Sequence, residues 1–269
     1  MIALPYLITI RFSGADAGDF LHNQVSSDVL ALENNESVFA CYCEPKGRVL
    51  ALMLISRQDE DYIVIMSSAL AETVVGRLKI YVMRSKVNIE VLDEYTVAGT
   101  GSDEKPESPP GSIHVIKLPD SDQCLNVMTG QSHILDRSAQ DHWKSSELQR
   151  GITWLCPQTS GQFLPQWLGF DRIGAVNYRK GCYPGQEIVA RTHYLGKVKR
   201  HPRLLQTSAV VCPDPLDKIQ IISGENPHEA IITDCAHGEN GRNFLLVITR
   251  MDPDLIAQQF EYNGLIAPL

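Results

Sequence analysis

Short β-branched segments alternate with helical periodicities through the first 150 residues and give way, past residue 200, to strands alone. This change of pattern constrains the fold more than any single residue does, because period 2 and period 3.6 bury different faces. Residues 4–12 read as an edge strand, and 15–24, with Phe20 and Leu21 on the apolar side, as a short helix. Strands at 38–43, 49–56 and 62–66, split by the polar turns 44–47 and 58–61, read as an antiparallel meander. From 69 to 82, Leu70, Val74, Leu78 and Tyr81 recur at helical spacing, with strands near 87–92 and 95–98 after them. Gly99 and Gly101 read as a turn. Segment 101–112 holds three prolines and no large apolar residue, so it reads as a loop crossing between two units. Strands at 113–118 and 123–128 and a helix at about 139–150, stopped by Gly151, make a second α+β unit. Beyond it, strands at 204–209, 219–222, 230–235 and 243–249 between Pro and Gly turns read as a small β-barrel. The expected division is an α+β body over 1–200 and a C-terminal barrel over 201–269.

With 269 residues, 43% of them hydrophobic, the chain can bury a sizeable core. A net charge of -8 argues against a protein that coats nucleic acid over its whole surface, so any anion site must be local. The first ten residues lack the basic start and small-residue cleavage pattern of a signal peptide. No apolar run approaches the roughly 20 residues of a membrane span. Seven scattered cysteines without a C-x-x-C pair read as reduced thiols of a cytoplasmic protein. Cys41 and Cys43 share a strand face, and they read as small buried hydrophobes rather than metal ligands. The P-loop, H-E-x-x-H and G-x-S-x-G patterns are absent from the sequence.

The chemistry concentrates in residues 177–203, NYRKGCYPGQEIVARTHYLGKVKRHPR. Pro184 suits a first helical turn, so a helix is expected from there to about Tyr194, with Gly196 as its stop. That places Cys182 just before a helix N-terminus with Arg179 and Lys180 nearby, and both features favour a thiolate. Cys182 is therefore the candidate reactive sulfur, against the bland alternative of a buried turn cysteine. Residues 172–203 hold eight of the 24 Lys and Arg and one acid, Glu187, a local formal charge of +7. A polyglutamate tail and a nucleic-acid backbone are the natural anions for such a patch. Outward lysines on a solvated strand are the alternative, and they weigh nearly equally for Lys197, Lys199 and Arg200.

Lys180-Gly181-Cys182-Tyr183-Pro184-Gly185-Gln186-Glu187 followed by Ile-Val-Ala-Arg resembles the motif of the YgfZ family, relatives of the glycine cleavage T-protein. Phe20 to Gln24 with Ser27-Asp28-Val29, Pro45 to Arg48, Glu147 to Ile152 and Gly161 to Gln166 resemble the same family. The resemblance implies two interleaved ferredoxin-like units forming a T-protein-like body, a C-terminal barrel, and tetrahydrofolate, with or without a polyglutamate tail, in a central channel. It also implies support of iron–sulfur enzymes or their assembly proteins, including a tRNA-modifying enzyme, by an accessory protein rather than a conventional enzyme. Carried over residue by residue, the motif gives Cys182 and Lys180 the chemical role and assigns ligand contacts to Gly181, Gly185, Gln186, Glu187 and Arg191. For the pterin, Asn23, Asp28, Phe163, Gln166 and Tyr183 are candidates if they converge. Asn23 and Asp28 serve equally well as turn or cap residues, and Phe163 as core. Two other readings stand beside this one: a folate-dependent aminomethyl- or methyltransferase with an acid such as Asp28 on the substrate amine, and an RNA-binding module with weak tRNA contact.

Overall fold

The apolar-rich segments of the N-terminal half pair into two sheets. In the computed structural model, which describes residues 1–101, 111–129, 136–196, 198–209, 211–238 and 241–269, the first strand signal splits into β1 (Ile2–Ala3) and β2 (Leu7–Ser13). Then come α1 (Ala17–Gln24), β3 (Ser37–Cys43), β4 (Val49–Gln58), β5 (Asp61–Ser67), α2 (Ala71–Val82), β6 (Asn88–Val91) and β7 (Tyr95–Thr100). The meander expectation holds, with β3, β4 and β5 antiparallel neighbours in a sheet of order β3-β4-β5-β2-β6. The edge-strand reading of residues 4–12 does not. β2 pairs with β5 on one side and β6 on the other, so it is internal, and its Ile10 and Phe12 are wholly buried.

The second sheet has the order β1-β7-β9-β8, with β8 (Ser112–Lys117) and β9 (Cys124–Thr129). Its edge β1 comes from the chain start, pairing Ile2 with Gly99, so the two α+β units interleave. Gly99 lies inside β7 rather than in a turn. A Cβ there would stand 2.7 Å from the Trp143 ring, so the missing side chain lets α3 (Arg137–Gln149) seat Trp143 on the strand. Asp136 caps α3 by accepting from Ser138 N at 2.9 Å and Ala139 N at 3.3 Å. The expected crossing loop at 101–112 falls largely outside the described residues.

Short α4 (Pro165–Leu168) and α5 (Gln186–Tyr194) lead into the C-terminal strands β10 (His201–Thr207), β11 (Lys218–Ser223), β12 (Asn226–His237), β13 (Asn243–Thr249), β14 (Gln259–Tyr262) and β15 (Leu265–Pro268). They form one antiparallel sheet, β10-β13-β12-β11-β14-β15, around a core that includes Leu205, Ile221, Ile232, Val247 and Phe260. Its edges come within reach of one another, since the Thr207 hydroxyl donates to the Pro268 carbonyl at 2.7 Å. Among the described residues no backbone ladder joins them, so the finding is a curled sheet where a barrel was expected. β14 and β15 carried too little apolar alternation to be read in advance.

One cysteine expectation is corrected. Cys212 and Cys235 form a disulfide with their Cα atoms 5.7 Å apart, tying the chain ahead of β11 to β12. Spacing alone gave no hint of it, because the 23-residue separation is closed by the fold of the sheet. Cys41 and Cys43 are buried free thiols whose pKa values burial pushes up, Cys41 to about 12, which fits their reading as core residues.

Candidate functional site

The signature turn is held by two glycines that meet. Gly185 has φ of +85°, and a Cβ on it would stand 2.5 Å from the Glu44 carbonyl oxygen and 2.6 Å from the Gly47 Cα. Gly47, at φ +75°, has the reciprocal constraint, 3.1 Å from the Ile188 Cβ. The Glu-Pro-Lys-Gly turn after β3 therefore docks against the signature backbone, which explains why both segments carry glycine in the left-handed region. This docking also moves the helix start. Gly185 is the N-cap residue and α5 begins at Gln186, so Pro184 precedes the helix instead of opening it, and Cys182 lies farther from the free amides than expected.

Lys180 is buried beneath this turn. Its ammonium donates to the carbonyls of His22 and Val25, the latter at 2.6 Å, and stands 5.3 Å from the Tyr183 ring centre. Burial pulls its pKa down to about 8, against the opposing charges of Asp28 and Cys182. His22 Nδ1 lies 3.3 Å from Asp28 Oδ1, an ion-pair distance, and burial with the Lys180 charge lowers its pKa. Asp28 also accepts from the Ala31 amide at 3.3 Å, closing a turn. Cys182 is exposed above this group, with Gly181 beside it and near the His22 ring. His22, Asp28, Lys180 and Cys182 thus form one cluster at the end of α1. His22 was overlooked in the sequence, although it stands within the quoted Phe-Leu-His-Asn-Gln stretch.

The remaining expected contacts scatter around it. Tyr183 is buried near Cys41 and Cys43, whose charges rank behind burial in raising its pKa. Gln186 Nε2 donates to the Lys180 carbonyl at 3.2 Å and stabilises the turn. Gln166 is buried, donating to the Val189 carbonyl at 2.8 Å and the Tyr178 hydroxyl at 3.2 Å, with its Oε1 unpartnered. Tyr178 stacks on His193 at 3.7 Å. Phe163 packs in the main core, and Asn23 is exposed on α1. Glu187 and Arg191 pair with each other at 2.8 Å on the open face of α5. None of these expected contacts is among the lining residues of the cavities at Arg200, Arg172, Asp19, Trp154 and His114.

A cavity of about 270 Å³ lies elsewhere, where the three parts of the chain meet. Tyr6 comes from the turn between β1 and β2, Ser67 from β5, Lys144 and Trp154 from the second unit, and Thr233 and Asp234 from β12. Behind two of its walls sits Glu147, a buried carboxylate that accepts from the Tyr6 hydroxyl at 2.9 Å and from the indoles of Trp154 at 2.9 Å and Trp143 at 3.1 Å. Burial pushes its pKa up to about 7 in spite of these bonds. Lys144 pairs with Asp234 at 2.6 Å, and the Thr153 hydroxyl donates to Asp234 at 3.0 Å. The two sites share one sheet face. On β3, Phe39 contacts Trp154 with ring centres 6.2 Å apart, and Cys41 and Cys43 lie under Tyr183. Four residue steps along β3, with a register irregularity at Tyr42/Cys43, lead from Phe39 to Cys43, about 13 Å at the usual rise.

The fold defines the class. It is that of the aminomethyltransferase T-proteins, being similar to the glycine cleavage system aminomethyltransferase T of Bartonella henselae, with a TM-score of 0.74 over 99% of this chain and 82% of that one at 12% identity. Sequence relatives narrow it. The chain is 26% identical to the tRNA-modifying protein YgfZ of Shigella boydii over 91% of its length and 84% of that protein, and 24% identical to that of an Enterobacter species over 84% and 77%. It is 29% identical to an uncharacterized protein of Haemophilus influenzae over 74% of this chain and 70% of that one. No family model matches the chain. The resemblance seen in the signature motif stands, and the chain is a relative of the YgfZ proteins. No helix among the described residues is long and apolar enough to cross a membrane.

Proposed function

We infer that this protein is a folate-binding accessory protein of the YgfZ type, with the pterin seated in the junction cavity and Cys182 as its accessible reactive sulfur. The observation that carries the reading is the exposed thiol fixed by a buried, doubly bonded lysine, on the same sheet face as an aromatic-walled cavity. The cavity's chemistry fits a pterin. Tyr6 and Trp154 offer apolar walls, Asp234 keeps acceptor capacity for ring N–H and amino groups, and Lys144 supplies donors. About 270 Å³ suffices for the bicyclic head alone, so the benzoyl-glutamate part would extend outside it.

A reduced folate supplies one-carbon chemistry when bound. The chain's own residues do the rest: Glu147 holds the Tyr6 hydroxyl and Trp154 indole in fixed orientation, and Lys180 anchors the signature turn to α1 so that the Cys182 thiol faces solvent. In this reading the body is the pair of ferredoxin-like units over 1–200, the C-terminal sheet closes the cavity's third side, and the client is a cytoplasmic iron–sulfur enzyme, including one that modifies tRNA. A conventional aminomethyltransferase is the second reading. It is less favoured because Asp28, its candidate acid, accepts from the Ala31 amide, stands at ion-pair distance from His22 and is not among the cavity's lining residues.

Calorimetry of the full chain with tetrahydrofolate tests the reading. Saturable 1:1 binding that Trp154→Ala weakens at least tenfold, while Cys182→Ser leaves it intact, is the expected result. Absence of binding by the wild-type chain would remove the folate assignment altogether.

A further inference from the structure

The basic stretch past residue 196 was left without a role, and its Arg200 leads to a separate cavity of about 380 Å³ against the C-terminal sheet. The floor is apolar, made by Ile231 and Ile248 with Met251. The rim is cationic. Antiparallel pairing of β10 with β13 sets His201 opposite Thr249 at its end, so Arg200 and Arg250 are the next residues out on the two chains. Both line the cavity.

Two like charges across neighbouring strands destabilise a sheet unless something answers them. Nothing within the described residues does. The Arg200 guanidinium lies 4.9 Å over the Trp167 ring, which holds it in place without neutralising it. Arg250 is exposed and has no hydrogen bond or ion pair among the described residues. The one acid on the rim, Glu229, is taken by Lys218 at 3.2 Å. The Nε2 of His228, a third cavity residue, is buried and unpartnered. A chain of net charge -8 had acids to spare for these arginines, yet the one acid lining the cavity is paired with Lys218.

We propose that this cavity is a binding site for a phosphate monoester of mononucleotide size, its phosphate held between Arg200 and Arg250 and its body on the Ile231–Ile248 floor. Two guanidinium forks match the charge and the paired oxygens of a phosphate dianion better than those of a single carboxylate. The volume lies within the range of small-molecule sites and is large enough for the apolar body that such a floor requires. The site is separate from the junction cavity, so its fate is independent of the folate reading.

The test is calorimetry of the full chain at low salt with AMP, adenosine, and a ten-nucleotide RNA lacking terminal phosphate as probes. AMP should bind 1:1 and at least tenfold more tightly than adenosine. Arg250→Gln and Arg200→Gln should each weaken AMP at least tenfold, and Arg250→Gln should not lower the thermal midpoint, because its side chain has no partner to lose and a like-charge repulsion is relieved. Equal binding of AMP and adenosine, no saturable binding of AMP, or full affinity in Arg250→Gln would each overturn the proposal. Tighter binding of the RNA than of AMP would also overturn it, assigning the phosphate to a nucleic-acid strand.

Discussion

Glu147 offers a direct measurement of what burying a carboxylate costs this fold. Its pKa rises from an ordinary 4.5 to about 7 on folding, chiefly through burial. A carboxyl that holds its proton more tightly when folded contributes stability that is complete below the unfolded pKa and is lost as pH rises through the folded one, so the window is pH 4.5 to 7. With those two values, the contribution falls by about 2.5 kcal/mol between pH 5 and pH 8. Glu147→Gln removes the titration and keeps the bonding. The amide oxygen can accept from the Trp143 and Trp154 indoles, which already share one carboxylate oxygen, and the amide nitrogen can donate to the Tyr6 hydroxyl. Urea denaturation of both proteins from pH 5 to pH 8 isolates the group, since every other titration cancels in the difference. The variant should gain about 2.5 kcal/mol on the wild type as pH rises over that range. A difference that stays constant to within about 0.5 kcal/mol would mean that Glu147 is ionised throughout and that its three donors, not burial, set its charge.

Gly185→Ala should lower the thermal midpoint by at least about 4 °C, since left-handed backbone costs a non-glycine residue about 1 kcal/mol or more and the new methyl meets the Glu44 carbonyl; a midpoint within about 1 °C of wild type would disprove the docking of the two turns. In the native protein iodoacetamide should modify exposed Cys182 at least tenfold faster than buried Cys41 and Cys43, with Cys212 and Cys235 protected until reduction. Mass spectrometry that finds Cys41 labelled first would reverse the assignment of the accessible sulfur.

Local signals carried most of the elements. The meander of β3 to β5 followed from period-2 runs broken by polar turns, and the end of α3 from Gly151. The errors came where partners far along the chain decided the outcome. Pro184 looked like a first helical residue until the Gly47 turn forced Gly185 into the left-handed region and delayed the helix. Gly99 looked like a turn residue because its reason, the Trp143 ring, arrives more than 40 residues later. The motif identified Lys180 and Cys182, yet it could not reveal that Lys180 faces inward onto α1 carbonyls while Glu187 and Arg191 face each other in solvent. Glu147 was within a quoted stretch, but nothing in its neighbours announced a buried carboxylate.

By itself, then, the chain's sequence determined its class: an interleaved α+β body followed by strands, a family motif, and a cationic stretch in an acidic protein. Periodicity and glycine placement are local properties, so a reader of residues can find them. Tertiary structure alone decided which polar groups lose water and which face each other across a cavity, as with Glu147 behind Tyr6 and Trp154, or Arg200 beside Arg250. Desolvation and charge proximity depend on distances between segments far apart in the chain, and such distances exist only once the chain has folded.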